Sequence, residues 1–427
     1  MTRTITPSER HPSPSLVVFA LWLLVFSASS QTMIVAPILP LVGTALGIRE
    51  TLLGTLVAAY SLMVGVFAVI AGPFSDRIGR RRILLLGTGT MTVALALHVF
   101  VTGYASFIGV RLLAGMAGGV LSGAAVSYVG DYFPYERRGW ATGWIMSGWG
   151  VGQILGIPLG VVLAGAFGFR APFYLFALAT GLTFLLVFFR LPQPDVARSP
   201  DPVTPAGTVR AYAALVRRPG VLGAVGAFFL TFLGISLYVV YLPIWLETDL
   251  GATPNQIATL FLIGGVANVL VGPQAGRISD RAGRKQIILV SCAGLSVAMA
   301  LTTFVVGSPL AAMIYFFFVM GLVAMRVSPF SALLTGLVED DRRGTLLSLN
   351  VALGQIGFAV GGTLAGPLFA RAGYGANTVL AAISVVGMGL MVWLLVPEPD
   401  PEARGRPEDL RPEGGIAVGG RGTPKLP

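Results

Sequence analysis

Twelve runs of mostly apolar residues follow one another along the chain, at residues 16–41, 52–73, 83–102, 106–130, 140–166, 172–189, 220–246, 255–275, 286–306, 309–336, 344–370 and 376–396. About 20 apolar residues in a helix cross the hydrocarbon of a bilayer, and helices satisfy every backbone polar group without help from water. The pattern therefore predicts an all-α integral membrane protein of twelve transmembrane helices. Only 11% of the residues are charged and 55% are hydrophobic, where a soluble domain carries about 25% charged residues. The first run is longer than the roughly 7–15-residue apolar core of a signal peptide and shows no convincing cleavage site, so it reads as the first span.

The net charge of +10 reflects topology rather than a nucleic-acid partner. Of the 29 basic residues, three (Arg49, Arg170 and Arg371) fall in one set of alternating loops and two (Arg111 and Arg326) within spans; the remainder lie in the tails and the other loops. By the positive-inside rule both termini are then cytoplasmic, as expected of a multi-pass protein of a bacterial inner membrane. Cys292, the single cysteine, lies in the ninth run, so no intramolecular disulfide and no thiolate metal cluster can form. No cofactor is called for.

Two stretches break the apolar rhythm: a proline-rich segment at 191–219 and a polar tail at 397–427. With a short tail at 1–15, they divide the chain into bundles at 16–190 and 220–396, joined by a flexible cytoplasmic linker whose last part, VRAYAALVRR, predicts a short surface helix. The bundles echo each other in sequence. GPFSDRIGRRR begins at Gly72 and GRISDRAGRKQ at Gly276, 204 residues later; YERRG at 135–139 is answered by DDRRG at 340–344, and Gly152 and Gly156 by Gly357 and Gly361, at an offset of 205. Parallel six-span halves of this kind are a known transporter plan, with the solute site at the midplane between them.

The duplicated G-x-x-S-D-R-x-G-R-[RK] loops, the RLLAGMAGG segment starting at Arg111 and the twelve-span plan resemble the major facilitator superfamily over residues 16–396. The segment GQILGIPLGVVLAGAFGFRAPF is similar to the drug and sugar efflux permeases of that family. The resemblance implies two pseudo-symmetric six-helix bundles moving by alternating access. It also implies a latch between the halves built from Gly72, Asp76, Arg77, Gly79, Arg80 and Arg81 in the first loop and Gly276, Asp280, Arg281, Gly283 and Arg284 in the second. Independently of any family, Gly72 and Gly79 can supply the backbone conformations of a tight turn. In span 5, Gly148, Gly152, Gly156 and Gly160 recur every fourth residue, a row of small side chains that admits a neighbouring helix closely, with a bend at Pro158. This row resembles the antiporter motif of efflux members, which implies packing against the other half, although Ile157 separates the usual Gly-Pro pair.

Arg111 and Arg326 would each cost about 2.5–3.5 kcal/mol or more facing lipid at the bilayer centre. Arg111 stands about seven residues, roughly 10 Å, from its span end, so snorkelling can relieve much of its charge; Arg326 stands about thirteen residues, roughly 20 Å, from Glu339, and is expected to face a water-filled cavity. Arg111 is a candidate for substrate binding or coupling and Arg326 for contacting the solute or gating. All nineteen acidic residues fall in tails, loops or span ends. A cavity holding arginines without acid partners would be positive and favour neutral, zwitterionic or anionic solutes. Asp131 and His98 are candidates for carrying a proton, and Gln31, Gln153, Tyr238, Tyr241 and Asn350 for contacting the solute.

An integral-membrane enzyme is disfavoured, since H-E-x-x-H, G-x-S-x-G and a phosphate-binding loop are all absent from the sequence. The expected function is secondary transport of a small molecule by a monomer, with export of an amphipathic or sugar-like compound in exchange for protons implied by the resemblance. Import or uniport of a neutral or anionic metabolite is the alternative, and a non-transporting sensor the third reading.

Overall fold

In a computed structural model, residues 13–194, 205–339 and 343–398 are described, with the side chains of 72–77, 135, 205–209, 211 and 335 outside the description. The terminal tails and the middle of the linker fall beyond these limits. The described chain is helical apart from short connections, and its described residues up to Pro397 form one compact unit.

The first crossing is made of α1 (Pro14–Met33) and α2 (Val35–Leu46). It is interrupted because Pro37 has no N–H to give the Met33 carbonyl and its ring collides with that group. The seventh crossing breaks identically: α11 (Pro219–Val239) ends four residues before Pro243, which opens α12 (Leu242–Thr248). The second to sixth crossings are α3 (Glu50–Ile78); α4 (Arg80–Ala96) with a tight terminal turn; α5 (Tyr104–Leu121) continued by α6 (Ala124–Tyr132); α7 (Tyr135–Val151) continued by α8 (Ile157–Phe167); and α9 (Ala171–Arg190). After the linker helix α10 (Pro205–Val216) and the seventh crossing come α13 (Pro254–Ala282), α14 (Arg284–Val305), α15 (Pro309–Thr335) and α16 (Arg343–Leu395). The 53 residues of α16 would reach about 80 Å at 1.5 Å per residue, far more than a bilayer core. Gly373, with φ of 70°, divides it into the eleventh and twelfth crossings. Eleven helices of the described residues are long and apolar enough to cross a membrane, and the division of α16 makes them twelve crossings, as the hydropathy predicts.

The structure carries the sequence repeat into the backbone. Gly79 and Gly283, 204 residues apart, both hold positive φ, 104° and 97°, where the chain turns between consecutive spans. At each position glycine is the residue that adopts this geometry without strain. Gly72 and Gly276 do not serve the turn: α3 and α13 run through them unbroken. Gly276 instead makes room for a neighbour, since a methyl there would stand 2.8 Å from Ser328 Oγ.

Between the halves run two seams. Span 2 packs on span 11, where a Cβ at Gly362 would lie 3.0 Å from the Gly54 carbonyl and one at Gly65 would lie 2.9 Å from that of Ala352. Span 8 packs on span 5, where a Cβ at Gly265 would lie 3.1 Å from Ile154 Cα. Large apolar side chains such as Leu178, Phe189 and Phe304 are exposed on the outer surface, the arrangement that lipid rather than water solvates.

Candidate functional site

Between the two bundles lies a cavity of about 480 Å³, within the range of about 300–1,000 Å³ of small-molecule sites. The first half contributes Met33, Trp149, Gln153 and Ile157; the second contributes Phe232, Tyr238, Phe261, Asn268, Met299, Phe316 and Phe358, among others. Tyr238, Phe261, Met299, Phe316 and Phe358 are buried, whereas Trp149, Val269 and Val327, nearer the linker end, are 45%, 48% and 58% exposed. The cavity is thus reached from the linker end. At the opposite end the Tyr241 hydroxyl donates to the Glu50 carbonyl (2.6 Å) and accepts from the Gly54 amide (3.2 Å), tying span 7 to span 2.

Aromatic, methionine and aliphatic side chains make up most of the wall. Its polar groups include the Tyr238 hydroxyl, 3.1 Å from Thr302 Oγ1, and an amide pair in which Asn268 Nδ2 donates to Gln153 Oε1 at 3.2 Å across the halves. No charged side chain of the described residues lines it. This corrects the expectation of a positive cavity. Arg326, 2% exposed, does not line the cavity; its side chain reaches the Cys292 thiol, which lies 3.7 Å from Met388 Sδ within the second half. Arg111 does not snorkel. It is fully buried, with Nε donating to the Leu56 carbonyl (3.4 Å) and its guanidinium 4.3 Å from the Tyr60 ring centroid, a cation–π contact strengthened by the loss of water. The terminal nitrogens of both arginines have no hydrogen-bond partner among the described residues.

Gln31 joins this second cluster, its amide donating to the Tyr60 hydroxyl at 2.7 Å. His98 stacks on Phe173, with centroids 3.7 Å apart, and its Nδ1 lies 3.0 Å from the Ala94 carbonyl oxygen. Asn350 is buried in α16 and donates to the carbonyl of its own preceding turn, Leu346. Neither it nor Gln31 reaches the cavity wall.

The loops at the linker end behave as helix clamps within each half. Arg80 pairs with Asp131 at 2.6 Å, and Arg81 donates to the carbonyls of Phe188 (2.6 Å) and Val187 (3.3 Å) at the end of span 6. Lys285, 204 residues beyond Arg81, donates to Val396 at the end of span 12. A cation at a helix C-terminus satisfies carbonyls left without intrahelical donors. Asp280 pairs with Arg284 four residues on (3.2 Å), and Arg281 is exposed. The side chains of Asp76 and Arg77 lie outside the described residues. A smaller recess of about 150 Å³, lined by Arg80, Ser127 and Ser348 among others, separates this loop from the start of span 11.

The glycine row of span 5 faces its own half, contrary to the packing its resemblance implies. A methyl on Gly148 would stand 2.8 Å from the Trp22 carbonyl and one on Gly152 2.9 Å from that of Phe26; on Gly156 and Gly160 it would overlap Ser30 and Ile34. All four partners belong to span 1. The cause is a π-helical turn at Gly152–Gly156, ahead of Pro158, which cannot donate to the Ile154 carbonyl. The wider turn keeps the glycines on span 1 and leaves Ile154 to meet span 8. Gly357 and Gly361 pack on span 7 in the same manner.

The family model described as Major Facilitator Superfamily matches residues 21–247 and again 224–419. The chain belongs to this superfamily. Like other members it is a transporter, with many membrane crossings and the two-bundle fold described above. Similar proteins include the MFS-type transporter YwfA of Bacillus subtilis, 29% identical over 90% of this chain and 93% of its own length. Another is the multidrug resistance protein MdtG of a Rahnella strain, 25% identical over 90% and 94%. Among solved structures, a D-xylose–proton symporter superposes with a TM-score of 0.74 at 19% identity over 90% of this chain and 98% of its own, and the human organic anion transporter MFSD10 with 0.69 at 18% over 90% and 100%. These two establish the major facilitator fold alone.

Within that fold, Gln153 and Tyr238 reach the cavity, Tyr241 closes its far end, Gln31 and Arg111 meet at Tyr60, Asp131 meets Arg80, and Arg326 stands apart. Asn268 and Tyr60 belong to these clusters without having been among the residues expected from the sequence. Asn268 carries a legible signal, as an amide in the middle of an apolar run; Tyr60 carries none, because aromatic residues are common throughout such spans.

Proposed function

We propose that this transporter exports small, uncharged, amphipathic molecules by alternating access, with its linker end in the cytoplasm of a bacterial inner membrane. The observation that carries this reading is the cavity itself: apolar, free of charged side chains, furnished with a pair of amides, and reached from the linker end. A solute that partitions into membranes and carries no charge loses little on entering such a wall, whereas an ion loses its hydration without finding a partner. A relative named multidrug resistance protein MdtG is consistent with this reading. Breaking the two hydrogen bonds of Tyr241 and separating the ends of spans 2 and 11 would open the opposite face. Asp76, Arg77 and Asp280 are proposed to hold the linker end shut in that second state.

Exchange for protons is proposed as the driving force. A second reading, passive facilitation, is favoured by one observation: no carboxylate or histidine of the described residues lines the cavity. Cells expressing the protein, loaded with the uncharged fluorophore N-phenyl-1-naphthylamine, decide among these. Export predicts lower accumulation than in vector controls, restored by a protonophore. Faster loss of the dye from preloaded cells with unchanged steady-state accumulation identifies facilitation, lower accumulation insensitive to the protonophore identifies export on a gradient other than protons, and higher accumulation identifies import. Equal accumulation across a broad panel of neutral amphipaths contradicts the reading.

A further inference from the structure

The amide pair in the cavity offers more than generic polarity. Gln153 comes from the first half and Asn268 from the second, and their hydrogen bond, Asn268 Nδ2 to Gln153 Oε1 at 3.2 Å, bridges span 8 and span 5 where both line the cavity. Its presence depends on the π-helical turn at Gly152–Gly156, which carries Gln153 toward span 8 while its neighbours Gly152 and Gly156 stay against span 1. Such turns recur at functional sites. Each amide uses one of its two ends in this bond. Neither Gln153 Nε2 nor Asn268 Oδ1 has another hydrogen-bond partner among the described residues, and neither side chain is fully buried. A donor on one residue and an acceptor on its hydrogen-bonded neighbour are therefore left unpaired in an otherwise largely apolar wall.

We propose that Gln153 and Asn268 select the substrate, taking a compound whose apolar body carries one uncharged group that both donates and accepts, such as a carboxamide, lactam or imide. Such a group satisfies Gln153 Nε2 and Asn268 Oδ1 together, and can replace the bond between them. The pair is then also a bolt across the halves that the right solute withdraws. A hydrocarbon leaves both amides as they are and gains only apolar contact. Charged groups find no counter-charge on the wall. The inference rests on the reading of the cavity as the solute site.

The test uses the full-length protein in detergent and two probes of one shape, 2-naphthamide and 2-isopropylnaphthalene. Their binding is followed by quenching of Trp149, which lines the cavity, with Trp149→Phe protein giving the background of the remaining tryptophans. The wild type is expected to prefer the amide by about tenfold. Gln153→Leu and Asn268→Leu are each expected to cut that preference by about three- to tenfold, the effect of one lost neutral hydrogen bond, with hydrocarbon affinity unchanged. The double variant should lose little more than the worse single one, since the two act as a unit. The isosteric Gln153→Glu, which replaces the donor with a charge, should turn the preference toward 2-naphthylmethylammonium and keeps the test open if a leucine variant fails to fold. Equal losses for both naphthyl probes, or no wild-type preference, overturn the proposal while leaving the cavity a solute site. Failure of the wild type to bind either probe overturns the solute-site reading, and this proposal with it.

Discussion

Two kinds of residue carry the fold's local decisions: glycines that allow an otherwise forbidden step, and arginines buried where charge is costly. The glycines of the duplicated loop motif divide these tasks. Gly283 turns the backbone at φ of 97°, a region where a side chain costs about 1–2 kcal/mol. Gly109, within α5, would meet nothing within 4 Å on gaining a methyl. Gly283→Ala should therefore lower the thermal midpoint, and Gly109→Ala should leave it unchanged or raise it slightly, measured side by side in one detergent. The motif is legible in sequence because glycine and charge are rare and repeat at a fixed offset. What Arg111 and Arg326 touch is not legible. Their partners, Tyr60 and Cys292, come from other spans, and hydropathy alone cannot tell a face that meets protein from one that meets the cavity.

At the scale of the helix, prolines explain what spacing alone misreads. Pro37 and Pro243 break the first crossing of each half, and Pro158 follows the widened turn of span 5. A row of glycines every fourth residue drifts about 40° per step in an ideal α-helix, so its partner depends on the local winding. The row therefore meets span 1, not the other half. Replacing Gly156 with valine forces a Cβ onto Ser30, an overlap with a buried neighbour that costs about 1–3 kcal/mol. Gly143→Val, on the same crossing and with nothing within 4 Å, should be tolerated. A difference of several degrees in melting temperature between the two is expected, and equal stability would argue that span 5 does not need its close approach to span 1.

In the whole molecule, the twofold plan is the most legible level, since twelve apolar runs and an offset of 204 to 205 residues dictate two similar bundles. The interface between them is the least legible, because it is assembled from helix faces contributed by both halves. Transport turns on that interface: the halves are held together at the end remote from the linker while the cavity is reached from the other, and a solute crosses only when this closure opens. Ala58 and Gly362 face each other across the seam, with Cβ positions 3.7 Å apart, a separation suited to a disulfide. The native Cys292 is buried in span 9. The most direct measurement is the flux of an uncharged amphipath through proteoliposomes bearing Ala58→Cys and Gly362→Cys together, oxidised and then reduced. Flux that stops on oxidation and returns on reduction is predicted; flux that continues through the locked protein would contradict alternating access through this cavity.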